Sequence, residues 1–191
     1  MTNNDGQQHT VEDVHIALLR GINVGGKNRL PMADLAAIFL GIGCRAVQTY
    51  IQSGNVVFRA EPSLAARVPA LVAAAISADF GISSPVVTRT RAELVDVAHN
   101  NPYLAETAGT RALHVVFLLD EPEPSQIAAL DPDRSPPDRF VVRGRELFLF
   151  CPNGVARTRL TNQYFDSRLK TTSTMRNWQT VLALLELAQE A

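Results

Sequence analysis

What this 191-residue chain has little of sets the first limits on its function. It contains two cysteines, Cys44 and Cys151, with no CxxC spacing. Two such cysteines fit a reducing compartment better than a disulfide framework. Aromatic residues make up only 6%. Tyr50 and Phe58 alone could stack a base, so a typical RNA-recognition sheet is not expected. Neither sign of charge is in excess: with a net charge of −1, any phosphate or nucleic acid must be met by a local patch, not a global field. The least polar stretch, residues 68–78, is about half the ~20 residues needed to cross a bilayer. Residues 1–13 hold no Lys or Arg and cannot be the basic start of a signal peptide. The expectation is a cytoplasmic protein with no membrane partner and a disordered tail over residues 1–13.

Sets of catalytic residues are missing as well. His9, His15, His99 and His114 lie in unrelated contexts, without metal-ligand spacing among themselves or with the cysteines. No metal site is expected. There is no GxSxG elbow, and Ser53 has no base near it in sequence. The carboxylates are scattered, so no general acid/base pair can be named. Catalytic residues and cofactor both stay unknown, and enzyme activity is an open question.

What is present reads as a globular α+β protein. Apolar residues are 46% and charged residues 19%, ordinary for a chain that buries a core. Residues 14–20 form a short apolar run closed by Gly21, a strand signal. A Gly/Asn-rich loop follows to Leu30. Pro31 suits a first helical position, and Leu35, Ile38, Phe39 and Ile42 keep helical spacing behind it. Residues 46–52 and 55–59 are β-rich and meet across Ser53-Gly54, a hairpin. Pro62 opens a helix that kinks or restarts at Pro69. Residues 84–90 form a fourth strand and 91–100 a connecting helix. The order then recurs: strand 112–119, helix 123–130, hairpin strands 139–143 and 146–150, helix 158–169, strand 171–174 and a closing helix over 177–189. Residues 104–110 and 120–123 read as linkers. The recurrence lies in element order; residue identities show no repeat. The fold expected is two ferredoxin-like βαββαβ units in tandem, residues 14–103 and 111–191, with antiparallel sheets, helices packed on them and a C-terminal helix.

The loop from Gly21 to Asn28 comes within one residue of GxxxxGK[ST] and follows a strand. In a phosphate-binding loop that spacing lets backbone N–H groups surround phosphate oxygens while Lys reaches the outer phosphates. The run 115–119 followed by Asp120-Glu121 resembles a Walker B strand. Three features oppose an NTPase: Asn28 replaces the Mg²⁺-binding hydroxyl, Pro31 delays the helix beyond Lys27, and hairpins stand where parallel crossovers are required. A milder reading is an anion nest, because Gly21, Asn23, Gly25 and Gly26 all tolerate positive φ. Arg20 and Lys27 would flank it, with Arg29 beyond. A plain Gly-rich turn is the alternative. Gln52-Ser53-Gly54-Asn55 is a hairpin turn with side-chain groups to spare for a ligand. In residues 174–178, Thr174 or Asn177 caps the last helix and Trp178 covers apolar surface, or the segment joins a site through Arg176. Arg157, Arg159, Arg168, Lys170 and Arg176 make the C-terminal third the most basic part, as a solvated face also would.

The strings IALLRGINVGGKN (16–28), YIQSGNVVF (50–58) and TMRNW (174–178), with LHVVFL (113–118) and PNG (152–154) between them, resemble the bacterial family catalogued as domain of unknown function 1697. The resemblance runs from about Val14 to Leu187. It implies a duplicated ferredoxin-like architecture and no activity. The polar signature it implies comprises Arg20, Asn23, Gly26, Lys27, Gln52, Ser53, Gly54, Asn55, Asn153, Gly154, Thr161, Arg176, Asn177 and Trp178. Residues 156–159, Ala-Arg-Thr-Arg, depart from it where a Ser-Lys pair is expected.

Three functions follow. The first is a binding module for an anionic ligand, a nucleotide or nucleic-acid phosphate. Its candidate residues are Arg20, Gly21, Asn23, Gly25, Gly26, Lys27, Gln52, Ser53, Asn55, Asn153, Arg176, Asn177 and Trp178. The second is a protein-interaction or self-association module, and the third an enzyme of phosphoryl or nucleotide chemistry. With strand order 4-1-3-2 in each unit, the loop after strand one and the first hairpin turn share an end. That places Arg20, Asn23, Lys27, Gln52, Ser53 and Asn55 together. In the second unit Asn153, Gly154 and Arg157 should group with Thr174, Arg176, Asn177 and Trp178.

Overall fold

The computed structural model describes residues 12–106 and 109–191. The tail expected over residues 1–13 lies outside them up to residue 11, but Asp13 already begins a strand. The first half runs β1 (Asp13–Leu19), α1 (Met32–Gly41), β2 (Arg45–Tyr50), β3 (Asn55–Ala60), α2 (Pro62–Ala65), α3 (Val68–Phe80), β4 (Val86–Thr90) and α4 (Arg91–His99). The second runs β5 (Leu113–Leu118), α5 (Pro124–Ala128), β6 (Arg139–Arg143), β7 (Glu146–Phe150), α6 (Asn162–Leu169), β8 (Ser173–Asn177) and α7 (Trp178–Glu190).

Local chemistry explains most boundaries. Pro31 is the N-cap of α1, which starts at Met32. The helix expected from Pro62 breaks at Ala66-Arg67 and restarts with Pro69 in the first turn of α3, where a missing N–H costs nothing. The helix expected from residue 158 begins only at Asn162, because the Thr161 hydroxyl accepts from the Tyr164 N–H and fixes the start there. The strand expected over 171–174 is displaced to Ser173–Asn177, so most of the TMRNW string is strand and only its last residue is helix.

Two four-stranded antiparallel sheets result, ordered β2-β3-β1-β4 and β6-β7-β5-β8. Each sheet buries both faces. On the outer face of the first, Ala17, Leu19, Val56 and Phe58 pack against Leu35 and Phe39 of α1 and Val72 and Ile76 of α3. On the outer face of the second, Val116, Leu118, Leu147 and Leu149 pack against Tyr164, Phe165 and Leu169 of α6. The inner faces contribute Val14, Ile16, Leu18 and Val57 from one sheet and Leu113, Val115, Phe117 and Phe148 from the other. These meet Leu94 and Val97 of α4 and Trp178, Val181 and Leu184 of α7 in one central core. Strands buried on both faces carry near-continuous apolar runs, which is why VHIALL and LHVVFL lack alternation.

Pairing register shows a correspondence between the halves that residue identities hide. His15 of β1 pairs with Thr90 and His114 of β5 with Asn177. Leu18 pairs with Asn55 and Phe117 with Glu146. Thr90 caps α4 through the Glu93 N–H, and Asn177 caps α7 through the Thr180 N–H. The residue before each cap is an arginine that crosses to the other half. Arg89 donates from Nη2 to the Leu118 and Arg145 carbonyls and from Nε to Glu146 at 2.7 Å. Arg176 donates from Nη2 to the Leu19 and Ser53 carbonyls and from Nε to Asn55 at 2.6 Å. Each half thus grips the end of the other's first strand and its hairpin turn by the same device. The sequence trace is two short strings, Val-His against Leu-His and Arg-Thr against Arg-Asn, too brief to register as a repeat.

Candidate functional site

The loop after β1 is held by its own asparagines. Asn23 donates from its amide to the Leu30 carbonyl and accepts from the Leu30 N–H, both at 2.9 Å. Asn28 donates to the Gly21 carbonyl at 2.8 Å. Inside that frame the Lys27 N–H donates to the Val24 carbonyl at 3.0 Å, and Gly25 and Gly26 have φ of 59° and 76°. Left-handed φ at both central residues makes this a miniature hairpin with a type I′ turn. Gly21, Asn23 and Asn28 are left-handed as well. A Cβ on Gly25 or Gly26 would meet nothing within 4 Å, so those glycines serve the turn and not a close approach. The phosphate-loop reading is corrected here: the helix starts past Pro31, and β1 pairs antiparallel with both neighbours. Lys27 and Arg29 stand exposed on the rim.

Beneath the loop lies the turn of residues 51–54. Gly54 has φ of 70°, and a Cβ there would sit 2.7 Å from both Leu19 Cβ and Ile22 Cδ1. Only glycine lets this turn seat on the start of the loop. Asn55 is fully buried and donates to the Tyr50 carbonyl and the Ser53 hydroxyl. Its remaining oxygen takes the Arg176 Nε–H. Arg176 Nη1 donates to the Thr174 hydroxyl and the Met175 carbonyl. With the two Nη2 bonds, all five of its N–H groups are used, every one on a neutral acceptor. Burial without a carboxylate lowers its pKa to about 10. Arg89 differs in having Glu146: burial lowers its pKa, and the carboxylate works against that. Arg20 reaches across to pair with Asp166 of α6, whose other oxygen accepts from Ser173 at 2.6 Å.

Arg20, Ser53, Asn55 and Arg176 are therefore brought to one end of the first sheet, below the loop that carries Gly21, Asn23, Gly25, Gly26 and Lys27. In the second grouping no hydrogen bond or ion pair among the described residues joins Asn153, Gly154 or Arg157 to Thr174, Arg176, Asn177 or Trp178. Arg176 turns to the first half, Asn177 is a helix cap, and Trp178 is 2% exposed in the central core. Asn153 is exposed with no hydrogen bond among the described residues, and Gln52 is likewise exposed and belongs to neither network. Gly154 and Gln179 do share the lining of a cavity with Thr110 and Pro152.

The opposite end holds a charged cleft that no sequence motif marks. A cavity of about 400 Å³ opens between α4 and the β6–β7 hairpin, lined by Glu93, Asp96, Val97, Asn100, Arg143, Arg145, Glu146 and Phe148. Glu93 pairs with Arg145 and accepts from the Thr90 N–H at 2.7 Å. Burial works to raise its pKa, but the Thr90 bond and the two arginines hold it below the ordinary carboxylate value. A second cavity, of about 370 Å³, shares Glu93 and Arg145 and reaches His15, Thr88 and Thr90. The His15 imidazole stacks on Phe58 with its Nε2 unpartnered, and burial lowers its pKa. The signal in sequence was the charge density of 93–100 and 143–146, which reads equally as a solvated surface.

Both cysteines are buried and free, and burial pushes their thiols up to about 11 and about 12. Among the described residues no group of three or more His, Cys, Asp or Glu could hold a metal ion. No described helix is long and apolar enough to cross a membrane.

The fold and these two polar regions define an α+β protein of two four-stranded antiparallel sheets that share one inner core. A family model described as protein of unknown function (DUF1697) matches residues 13–148, and the chain belongs to that family. It is similar in fold to the conserved bacterial protein SP0830 from Streptococcus pneumoniae, with a TM-score of 0.71 at 19% identity, covering 93% of this chain and 99% of that one. No curated protein matches the chain.

Proposed function

We propose that this protein is a binding module for an anionic ligand, a nucleotide or the phosphate backbone of a nucleic acid, taken up at the loop end of the first sheet. One observation carries the reading. Of the four cations at that end, Arg20, Lys27, Arg29 and Arg176, only Arg20 has a carboxylate partner among the described residues. In a chain of net charge −1, this is a local positive patch on a loop whose shape is already set. Gly21, Asn23, Gly25 and Gly26 hold that shape, and Gln52 and Ser53 border it. Arg176 contributes its field and not its donors. Asn177 and Trp178 fix the strand–helix junction that aims Arg176.

The same reading takes residues 14–103 and 111–191 as two ferredoxin-like βαββαβ units. The matching strand orders and reciprocal arginines support it. It also places the protein in the cytoplasm. The test is binding of a labelled oligonucleotide and of ATP across a salt titration. Affinity should fall with salt, and Lys27→Ala should weaken binding and reduce the salt slope by about one. Folding should stay nearly unchanged, because an exposed lysine contributes little to stability. No binding at low salt, or a large loss of stability in Lys27→Ala, would overturn it.

A second reading, a protein-interaction module, has its own observation. Val24 at the loop tip is 65% exposed and Ile51 in the hairpin turn 52%. Val24→Ser with Ile51→Ser would leave phosphate binding intact but abolish association with a partner.

A further inference from the structure

The cleft between α4 and the β6–β7 hairpin has a counterpart across the molecule, and the difference between the two points to a ligand. Register makes Arg89-Thr90 correspond to Arg176-Asn177, so Asp96, Val97 and Asn100 correspond to Ala183, Leu184 and Leu187. On the facing hairpins, Arg143 corresponds to Tyr50. The α7 side is apolar and closed: Leu184 is buried, and Tyr50 and Leu187 pack against the central core. There α7 continues to Glu190, whereas α4 ends at His99. The α4 side stays open and charged over a floor of Val97 and Phe148, 3% and 2% exposed.

Two of the cleft's ion pairs are internal, Arg145 with Glu93 and Glu146 with Arg89. That leaves one charge of each sign without an ion-pair partner among the described residues. Asp96 stands on α4, and Arg143, at the end of β6, donates to the neutral Asn100 carbonyl. An anion from one wall and a cation from the other, above an apolar floor, complement a ligand with an ammonium, a carboxylate and an apolar body. A volume of about 400 Å³ lies within the range of small-molecule sites, roughly 300–1,000 Å³. We propose that this cleft binds a free α-amino acid with an apolar side chain. Arg143 takes its carboxylate, Asp96 its ammonium, and Val97 and Phe148 its side chain.

The probes are L-leucine, L-methionine and L-phenylalanine, read by calorimetry and by thermal shift on the full chain, since a ligand that binds only the native state raises its melting point. At least one should bind. Its amide, lacking the carboxylate, and its deaminated acid, lacking the ammonium, should each bind at least about tenfold more weakly. Asp96→Asn and Arg143→Gln, both at exposed positions, should each cause a loss of the same order, and Lys27→Ala should have no effect. No binding of any of the three at about 10 mM would overturn the proposal. So would equal binding of the amide and acid, or binding indifferent to both cleft variants. The analogue comparison uses the unaltered protein, so it decides even where a variant folds poorly.

Discussion

Arg176 shows how far one side chain can be read from its neighbours. A guanidinium offers five N–H groups in a rigid fork, and here each meets an oxygen of Leu19, Ser53, Asn55, Thr174 or Met175. A lysine has three donors on a flexible stem and cannot span that set. Arg176→Lys should therefore destabilise the protein by about 2–3 kcal/mol, because buried acceptors lose their partners. Urea unfolding measures this; a change below about 0.5 kcal/mol would mean that the clamp contributes nothing. His15 and His114 predict a pH effect. Burial lowers both pKa values from an ordinary 6.5, so the unfolded chain takes up protons that the native one refuses. Their contribution is complete above pH 6.5 and is lost as pH falls below it, by up to about 1.4 kcal/mol per pH unit for each histidine. Glu93, with its lowered pKa, acts only below its ordinary 4.5. Unfolding midpoints at pH 7.5 and 5.5 should differ, and replacing both histidines with phenylalanine should remove the difference.

Among the elements, the loop of 21–30 and the turn of 51–54 behave as one unit, because Gly54 is pressed against Leu19 and Ile22. Gly54→Ala combines a left-handed φ with a contact at 2.7 Å and should cost about 2–4 kcal/mol. Gly25→Ala meets open space and carries only the conformational part, about 1–2 kcal/mol. Equal losses for the two, measured by thermal unfolding, would show that the turn does not bear on the loop. The presence of this loop and turn was legible in the sequence, as was their shared end of the sheet. The late start of α6 was not. Thr161 is unremarkable as a residue, and its effect depends on where the neighbouring chain leaves the sheet.

At the scale of the whole molecule, the central core decides cooperativity. Ile16, Leu18, Val115 and Phe117 share one buried cluster with Leu94 and Val97 of α4 and Val181 and Leu184 of α7. Each such side chain contributes about 1.5–3 kcal/mol when buried. A fragment of either half alone exposes that face to water. Residues 12–103 and 109–191 expressed separately should lack a cooperative transition, and mixing them should restore it, as followed by circular dichroism. A sharp, independent transition in either fragment would show that the two units fold on their own.

The sequence by itself determined what short-range chemistry controls. Doubly buried strands need continuous apolar runs, Gly-Gly and Ser-Gly demand turns, and Thr or Asn before a helix supplies its cap. These were enough for two antiparallel sheets with helices packed on them and a polar loop end. Only the tertiary structure decided that Arg176 serves the first half and Arg89 the second, across separations of 121 and 57 residues. It alone decided that α7 closes its side of the core while α4 leaves a cleft. The reason is that most acceptors for those arginines are backbone carbonyls, which every residue carries, so no residue type announces them in the sequence.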